Sequence, residues 1–254
     1  MLSHTGLLRK GNEDTCAVEV DLGAFVVCDG MGGAAAGEVA SHLAAETFLT
    51  HLNPADATPP ARLTAAVEAA NHAVFHKAHH QPEFSGMGTT LVALLHAPGA
   101  AKPNPDLWLA HVGDSRCYLY RGRELTQLTE DHSLVEEQVR AGQITPYEAA
   151  RSPMRNYITR AVGSQSTVDI DIQPLRTQPG DLYLLASDGL NRELTDADIA
   201  TVLADIPSPP TTPYLAAACK SLITATNHHG GRDNVTVLLV AFPQGVERRK
   251  PRRT

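Results

Sequence analysis

Phe25-Val26-Val27-Cys28-Asp29-Gly30-Met31-Gly32-Gly33 is an apolar run that ends on one acidic residue and continues into three glycines within four positions. Such a run reads as a buried strand that delivers a carboxylate to a sheet edge. Glycines there let the backbone turn and come close to whatever is bound. The arrangement recurs at Leu182-Tyr183-Leu184-Leu185-Ala186-Ser187-Asp188-Gly189. Two apolar strands that each end in Asp-Gly raise the question of whether their carboxylates share a metal ion.

Working outward, residues 15–20 and 22–28 read as two strands around a short turn at Asp21-Leu22-Gly23. Ala34 to Thr50 reads as a helix, ended by Pro54, Pro59 and Pro60, and residues 61–80 as a second, with Leu63, Val67, Ala70 and Val74 along one face. Strands are expected at Thr89 to Leu95, Leu107 to Val112 and Arg116 to Tyr120, with Gly113-Asp114-Ser115 turning the chain between the last two. Residues 181–187 form another strand, Leu194 to Leu203 a short helix capped by Thr195, Tyr214 to His228 a helix, and Val235 to Phe242 a last strand. Residues 130–163 are polar, broken by Gly142, Pro146 and Pro153, and read as an excursion the length of a mobile flap. There is no regular βαβ alternation, so mostly antiparallel sheets packed on each other and covered by helices fit better than a doubly wound sheet. No linker or repeat divides the chain. Residues 1–242 are expected to form one domain, and 243–254, with five Arg or Lys and no apolar periodicity, a disordered basic tail.

The 254 residues are enough for one large α+β domain. A formal charge of -7 argues against a general nucleic-acid binder and is neutral for an enzyme whose metal ions supply positive charge. The four cysteines form no C-x-x-C pair and read as free thiols, three of them in apolar, strand-like surroundings. Met1-Leu2-Ser3-His4 lacks the charged-then-apolar pattern of a signal peptide, and no apolar run approaches the roughly 18 residues of a membrane span. A cytoplasmic protein is the expectation.

Asp14, Asp29, Asp114, Asp188 and Asp233 each lie in or beside a turn, and four directly flank an expected strand. Turn aspartates commonly just stabilise turns. Five of them, two in matched strand-Asp-Gly contexts, favour hard divalent cations such as Mg2+ or Mn2+, which take oxygen ligands. Two such ions about 3.5–4 Å apart lower the pKa of a shared water and hold both ends of an in-line displacement at phosphorus. That chemistry needs a bridging carboxylate, for which Asp29 is the natural candidate. It also needs a cation for the non-bridging phosphate oxygens, and Arg9 lies one short turn from Glu13 and Asp14.

The ordered motifs carry a resemblance. Arg9-Lys10-Gly11-Asn12-Glu13-Asp14, Asp29-Gly30-Met31-Gly32-Gly33, Gly37-Glu38 and Gly86-Met87-Gly88-Thr89-Thr90 are followed by His111-Val112-Gly113-Asp114-Ser115-Arg116 and Leu128-Thr129-Glu130-Asp131-His132-Ser133. Ser187-Asp188-Gly189-Leu190 and Gly231-Arg232-Asp233-Asn234-Val235-Thr236 complete the set. Together they span residues 6 to 240, and the chain resembles bacterial members of the PP2C-type (PPM) metal-dependent serine/threonine protein phosphatases.

The resemblance implies an α+β fold, a four-layer α-β-β-α sandwich of two packed antiparallel sheets flanked by helices, with 130–163 as the flap beside the active site. It implies that Asp29 bridges two core Mn2+ or Mg2+ ions, that the Gly30 carbonyl binds one of them, and that Asp188 and Asp233 complete the second core site. Glu13 and Asp14 act through metal-bound water, Arg9 holds the phosphate, and Asp114 shares a third, weaker ion with Asp188. A water between the core ions attacks phosphoserine or phosphothreonine in line, with no side-chain nucleophile. None of the cysteines sits in the Cys-x5-Arg loop of a cysteine-dependent phosphatase. The implied partners are phosphorylated proteins and a Ser/Thr protein kinase, and the implied state is a monomer.

Two positions depart from the family pattern: Ala34 stands where many bacterial members have histidine, and Met31 where eukaryotic members carry a proposed general acid. Neither removes a ligand, though leaving-group protonation stays unassigned. A silent phosphoprotein-binding relative, or a domain whose metals only stabilise the fold, are the alternatives. The first is disfavoured by the presence of Asp29, Asp188 and Asp233, the second by Arg9. His72, His76, His79, His80, His228 and His229 read as exposed helix histidines, and the basic tail as a solubilised end.

Overall fold

The structure is a computed structural model of the 254-residue chain that describes residues 1–52, 57–97 and 106–242. The side chain of Ala34, residues 53–56, residues 98–105 and the tail expected at 243–254 lie outside the described residues. In chain order the elements begin with β1 (Leu2–His4), β2 (Asp14–Glu19), β3 (Ala24–Met31), α1 (Ala34–His51) and α2 (Pro59–His80). They continue with β4 (Gly88–Thr89), β5 (Leu91–His96), β6 (Leu107–Val112), β7 (Arg116–Arg121), β8 (Glu124–Gln127), α3 (Leu134–Arg140), α4 (Pro146–Arg151) and β9 (Asp171–Leu175). The last are β10 (Leu182–Ala186), α5 (Asp188–Asn191), α6 (Asp196–Ala204), α7 (Thr212–His228) and β11 (Val235–Ala241).

Two sheets form, one in the order β1-β11-β10-β7-β8 and one in the order β2-β3-β5-β6-β9, with β4 attached to β3. Every strand pair among the described residues is antiparallel. The central strands are apolar on both faces because each sheet is covered twice. Val27, Val92, Leu94, Leu109, Tyr183, Leu185 and Leu238 meet between the sheets. Alternate residues of the same strands, Val26, Cys28, Ala93 and Ala110, pack under α1 and α2, whose Ala40, Ala44, Phe48, Val67 and Val74 complete that layer. Leu184, Ala186, Val235 and Val237 pack under α6 and α7 against Ile199, Leu203, Cys219 and Leu222. The strand period of 2 thus feeds two layers at once, and the result is the expected α-β-β-α sandwich.

Several elements differ from the sequence expectation, each for a physical reason. β3 runs on through Asp29, Gly30 and Met31, so this carboxylate projects from a paired strand and not from a turn. Gly30 is there for close approach: a methyl in its place would collide with the Gly37 carbonyl of α1. The turn itself falls on Gly32 and Gly33, at φ 122° and 91°. Asp188 opens the four-residue helix α5 directly after β10. Pro59 and Pro60 sit in the first turn of α2, where a missing N–H costs nothing. β1, β8 and β9 were not foreseen; all three are short edge strands, and β9 carries Pro174, tolerated only at an edge.

The antiparallel registers bring one end of both sheets together. Asp14 faces Asp29 across β2 and β3, Leu91 faces Val112, and Ala186 faces both Arg116 and Val237. Every strand–turn junction that carries an acidic residue of interest therefore opens at the same end. Ser187 Oγ then joins the two sheets by donating to Asp14 Oδ2 at 2.7 Å.

Candidate active site

The backbone that carries Asp29 is held on both sides. Its N–H donates to Thr90 Oγ1 at 2.9 Å, and its carbonyl accepts from the Thr90 N–H and from Thr89 Oγ1, each at 2.9 Å. Thr90 Oγ1 lies 2.7 Å from Ser115 Oγ, next to Asp114. The break between β4 and β5 at Thr90 is what frees this hydroxyl for the work. Asn234 plays the matching role on the other sheet. Its Oδ1 accepts the Glu13 N–H at 2.8 Å, and its Nδ2 donates to the carbonyls of Thr5 and Gly11 at 2.8 and 2.9 Å. That buried amide fixes the loop that presents Arg9, Glu13 and Asp14 beside Asp233.

All eight sequence-predicted site residues come together. Arg9, Glu13, Asp29, Gly30, Asp188 and Asp233 line one cavity of about 540 Å³, and Met31 is on its wall. Asp114 lines an adjoining cavity of about 780 Å³ that also touches Asp188 and Asp233. Asp14 is buried behind the first, on Ser187. Arg9 is exposed and donates to Asp233 Oδ2 at 2.9 Å, with Glu13 at 4.0 Å.

Four contributors were not singled out from sequence: Thr90, Ser187, Asn234 and Arg192. The first three stand inside the quoted motifs, which is the signal that marks them. Arg192 lies one helical turn after Asp188, ion-pairs with it, and donates to Asp233 Oδ2 at 2.6 Å. His111 has no place in the cluster. It is buried, stacked on His132 at 4.6 Å, and its Nε2 bonds the Glu130 carbonyl. His132 Nδ1 accepts from Gly113 N–H at 3.0 Å, which leaves the proton on Nε2, 3.2 Å from Asp171 Oδ2. His111, His132 and Asp171 are close enough to surround an ion. The Gly113 bond instead makes His132 a brace for the turn that carries Asp114. The helix histidines His72, His76, His79 and His80 are exposed, as expected.

Electrostatics show what the cluster lacks. Burial pushes the Asp14 carboxyl up to about 7, and the charges of Asp188 and Asp233 add to that against hydrogen bonds from Ser187 and Thr236. Burial, then the charge of Asp188, pushes Asp114 up to about 8. Asp188 reaches only about 6, because Arg192 offsets much of its burial. Asp29 is raised well above the carboxylate range by burial and by the surrounding Asp14, Asp188, Asp114 and Asp233. Asp14 Oδ1 and Asp114 Oδ1 are buried with no hydrogen-bond partner. Oxygen-only donors, crowded negative charge and orphaned carboxylate oxygens are the properties of a site for hard divalent cations, and the residues fit such ions.

Residues 9–226 match the protein phosphatase 2C family, and the chain belongs to it. Among its relatives, the serine/threonine protein phosphatase PstP of Mycobacterium tuberculosis is 40% identical over 93% of this chain, which spans 43% of the PstP length. A serine/threonine phosphatase, stp, of Listeria welshimeri is 36% identical over 92% of both chains. A solved PstP catalytic domain in complex with two manganese ions is 38% identical, covers 94% of each chain and superposes with a TM-score of 0.78. The likeness extends over both sheets and their helices.

Proposed function

We propose that this protein is a metal-dependent protein phosphatase that hydrolyses phosphoserine and phosphothreonine in proteins. The observation that carries the reading is the convergence of Asp14, Asp29, Asp114, Asp188 and Asp233 from the ends of both sheets, beside the exposed guanidinium of Arg9. The similarity to PstP and stp, and the two manganese ions of the PstP catalytic domain, support it.

Asp29, Asp188, Asp233 and the Gly30 carbonyl would hold two Mn2+ or Mg2+ ions, and Asp114 with Asp188 a third. When bound, such ions supply Lewis-acid charge and a water of lowered pKa facing the phosphorus. The chain's own part is positioning. Thr89 and Thr90 fix the Asp29 backbone, so its carboxylate would meet the ions without reorganising. Asp14 and Glu13 stand behind as acceptors that orient water. Arg9 faces the cavity, and its planar fork matches two non-bridging phosphate oxygens. Arg192 keeps Asp188 ionised and aimed. Burial holds Cys28 and Cys117 as inert thiols, so no phosphoenzyme is expected. The finer reading is a monomeric cytoplasmic enzyme that opposes a Ser/Thr protein kinase. No helix among the described residues is long and apolar enough to cross a membrane.

Phosphate release from a phosphothreonine peptide by metal-stripped protein, with Mn2+ and then Mg2+ titrated back, tests the activity. Turnover should appear with metal in the wild type and stay absent in Asp188→Ala. Metal binding without turnover in the wild type would overturn it.

A further inference from the structure

The two cavities share a wall made of Asn156, Asp188, Arg192 and Asp233. A peptide whose phosphoryl group reaches Arg9 through the smaller cavity therefore continues naturally into the larger one, beneath residues 146–156. Five arginines line that larger cavity. Three are committed: Arg116 to Asp131 at 2.7 Å, Arg192 to Asp188 and Asp233, and Arg232 to Glu193 at 3.6 Å. Arg151, at the end of α4, and Arg155, four residues on, have no carboxylate within 4.0 Å among the described residues, and both are exposed.

Their neighbours leave that charge available. The Arg151 guanidinium lies 3.7 Å over the Tyr147 ring, a cation–π contact that holds it extended without neutralising it. The nearby Glu148 carboxylate is used by the capping box, where it accepts from Thr145 N–H and Oγ1 at 2.8 Å. Of the acids on the cavity wall, Glu136 alone has no cation within 4.0 Å and lies outside the acidic cluster. Arg151 and Arg155 are thus two guanidiniums without a carboxylate partner, side by side on one wall of this cavity, on a chain with a formal charge of -7.

We propose that Arg151 and Arg155 form an anion subsite that selects phosphoproteins with a second negatively charged group close to the phosphoresidue being cleaved. The inference rests on the phosphatase reading and names its substrate class. The shared chemistry is an oxyanion that meets a guanidinium fork, either an Asp or Glu carboxylate or a second phosphate. A phosphate, with about two charges and three acceptor oxygens, gains more than a carboxylate does at an exposed site.

The test uses the Mn2+-loaded full chain and a phosphothreonine peptide set in which the flanking residues are Gln, Glu or a second phosphothreonine, placed N-terminal in one series and C-terminal in another. An aryl phosphate, which carries no flanking residue to meet Arg151 or Arg155, is the control for the chemistry. In one of the two series kcat/KM should rise about threefold to fivefold with Glu and about tenfold with a second phosphate, relative to Gln. Arg151→Gln/Arg155→Gln should erase that preference with the aryl phosphate rate intact. Arg151→Glu/Arg155→Glu should invert it toward Lys-flanked peptides. A gain with the second phosphate alone would identify phosphate as the source of the anion, and a gain with both would admit carboxylates. Equal rates across the wild-type set, or a preference that survives in the double Gln variant, would overturn the subsite. Failure of the wild type on the aryl phosphate and on every peptide would instead remove the phosphatase reading, and the subsite with it.

Discussion

The site has two walls of opposite construction. One is sheet-borne: Asp14, Asp29, Asp114 and Asp188 project from paired strands or their immediate ends, and Thr90, Ser187 and Asn234 bond the backbone or side chains on which they depend. The other is carried by α4 and the segment that follows it, over residues 146–157, and turns Tyr147, Arg151, Met154, Arg155 and Tyr157 to solvent. The first spends polar groups in pairs and leaves only what a cation would satisfy, as the orphaned oxygens of Asp14 and Asp114 show. The second leaves charge and apolar surface uncommitted. The proposed chemistry, which needs fixed geometry, draws on the first wall, and the proposed anion subsite lies on the second.

Substitutions on the two walls should separate accordingly. The largest effect belongs to Asp29→Asn, which should lower metal-dependent phosphate release by about a thousandfold or more, measured at saturating Mn2+. Arg9→Ala should cost about a hundredfold in kcat/KM, with Arg9→Lys recovering only part, since an ammonium lacks the planar fork. Full recovery in Arg9→Lys would point to charge alone as the role of Arg9. Asn234→Ala should destabilise the fold by about 1–3 kcal/mol in urea titrations, because Glu13 N–H and two carbonyls lose their buried partner. Arg155→Gln, on the other wall, should stay within about 0.5 kcal/mol. If the two denature alike, the contrast between the walls fails.

The smallest expected effect is a pH slope. In the metal-free protein Asp14, Asp188 and Asp114 hold protons up to about 7, 6 and 8, against an ordinary value of 3.8. The native state therefore binds more protons than the unfolded one within that window, and stability falls as pH rises through it. The Tm of metal-free protein should decline by a few degrees between about pH 5 and pH 8. Added Mn2+ should raise Tm more at the upper end, where its ligands give up protons most readily. A flat profile without metal would mean that the cluster is less crowded than its burial implies.

Much of this was legible in the sequence. Apolar runs that stop on Asp29 and Asp188 exposed the two carboxylates, because a buried strand has few reasons to end on an acid followed by glycine. The packed sheets were legible from many strands without βαβ alternation, and the four layers from the family resemblance; in the structure Val26 and Val27, or Leu184 and Leu185, each feed a different layer. Edge strands β1, β8 and β9 were not legible, since three to five residues with one covered face leave no periodic signal. Arg192 escaped because a four-residue helix has no period, and its partners, Asp188 and Asp233, come from different elements. The brace formed by His132 depends on a bond between residues 19 apart, which spacing alone does not reveal.

The most direct test of the central account is a Mn2+ titration of the metal-stripped protein, followed by calorimetry and by loss of the free-ion electron paramagnetic resonance signal. The expected result is about two tightly held equivalents plus a weaker third. Asp29→Asn should disturb both tight equivalents together, and Asp114→Ala only the weak one. Tight equivalents in Asp29→Asn unchanged from the wild type would contradict the claim that one carboxylate, delivered by β3, is shared between two ions.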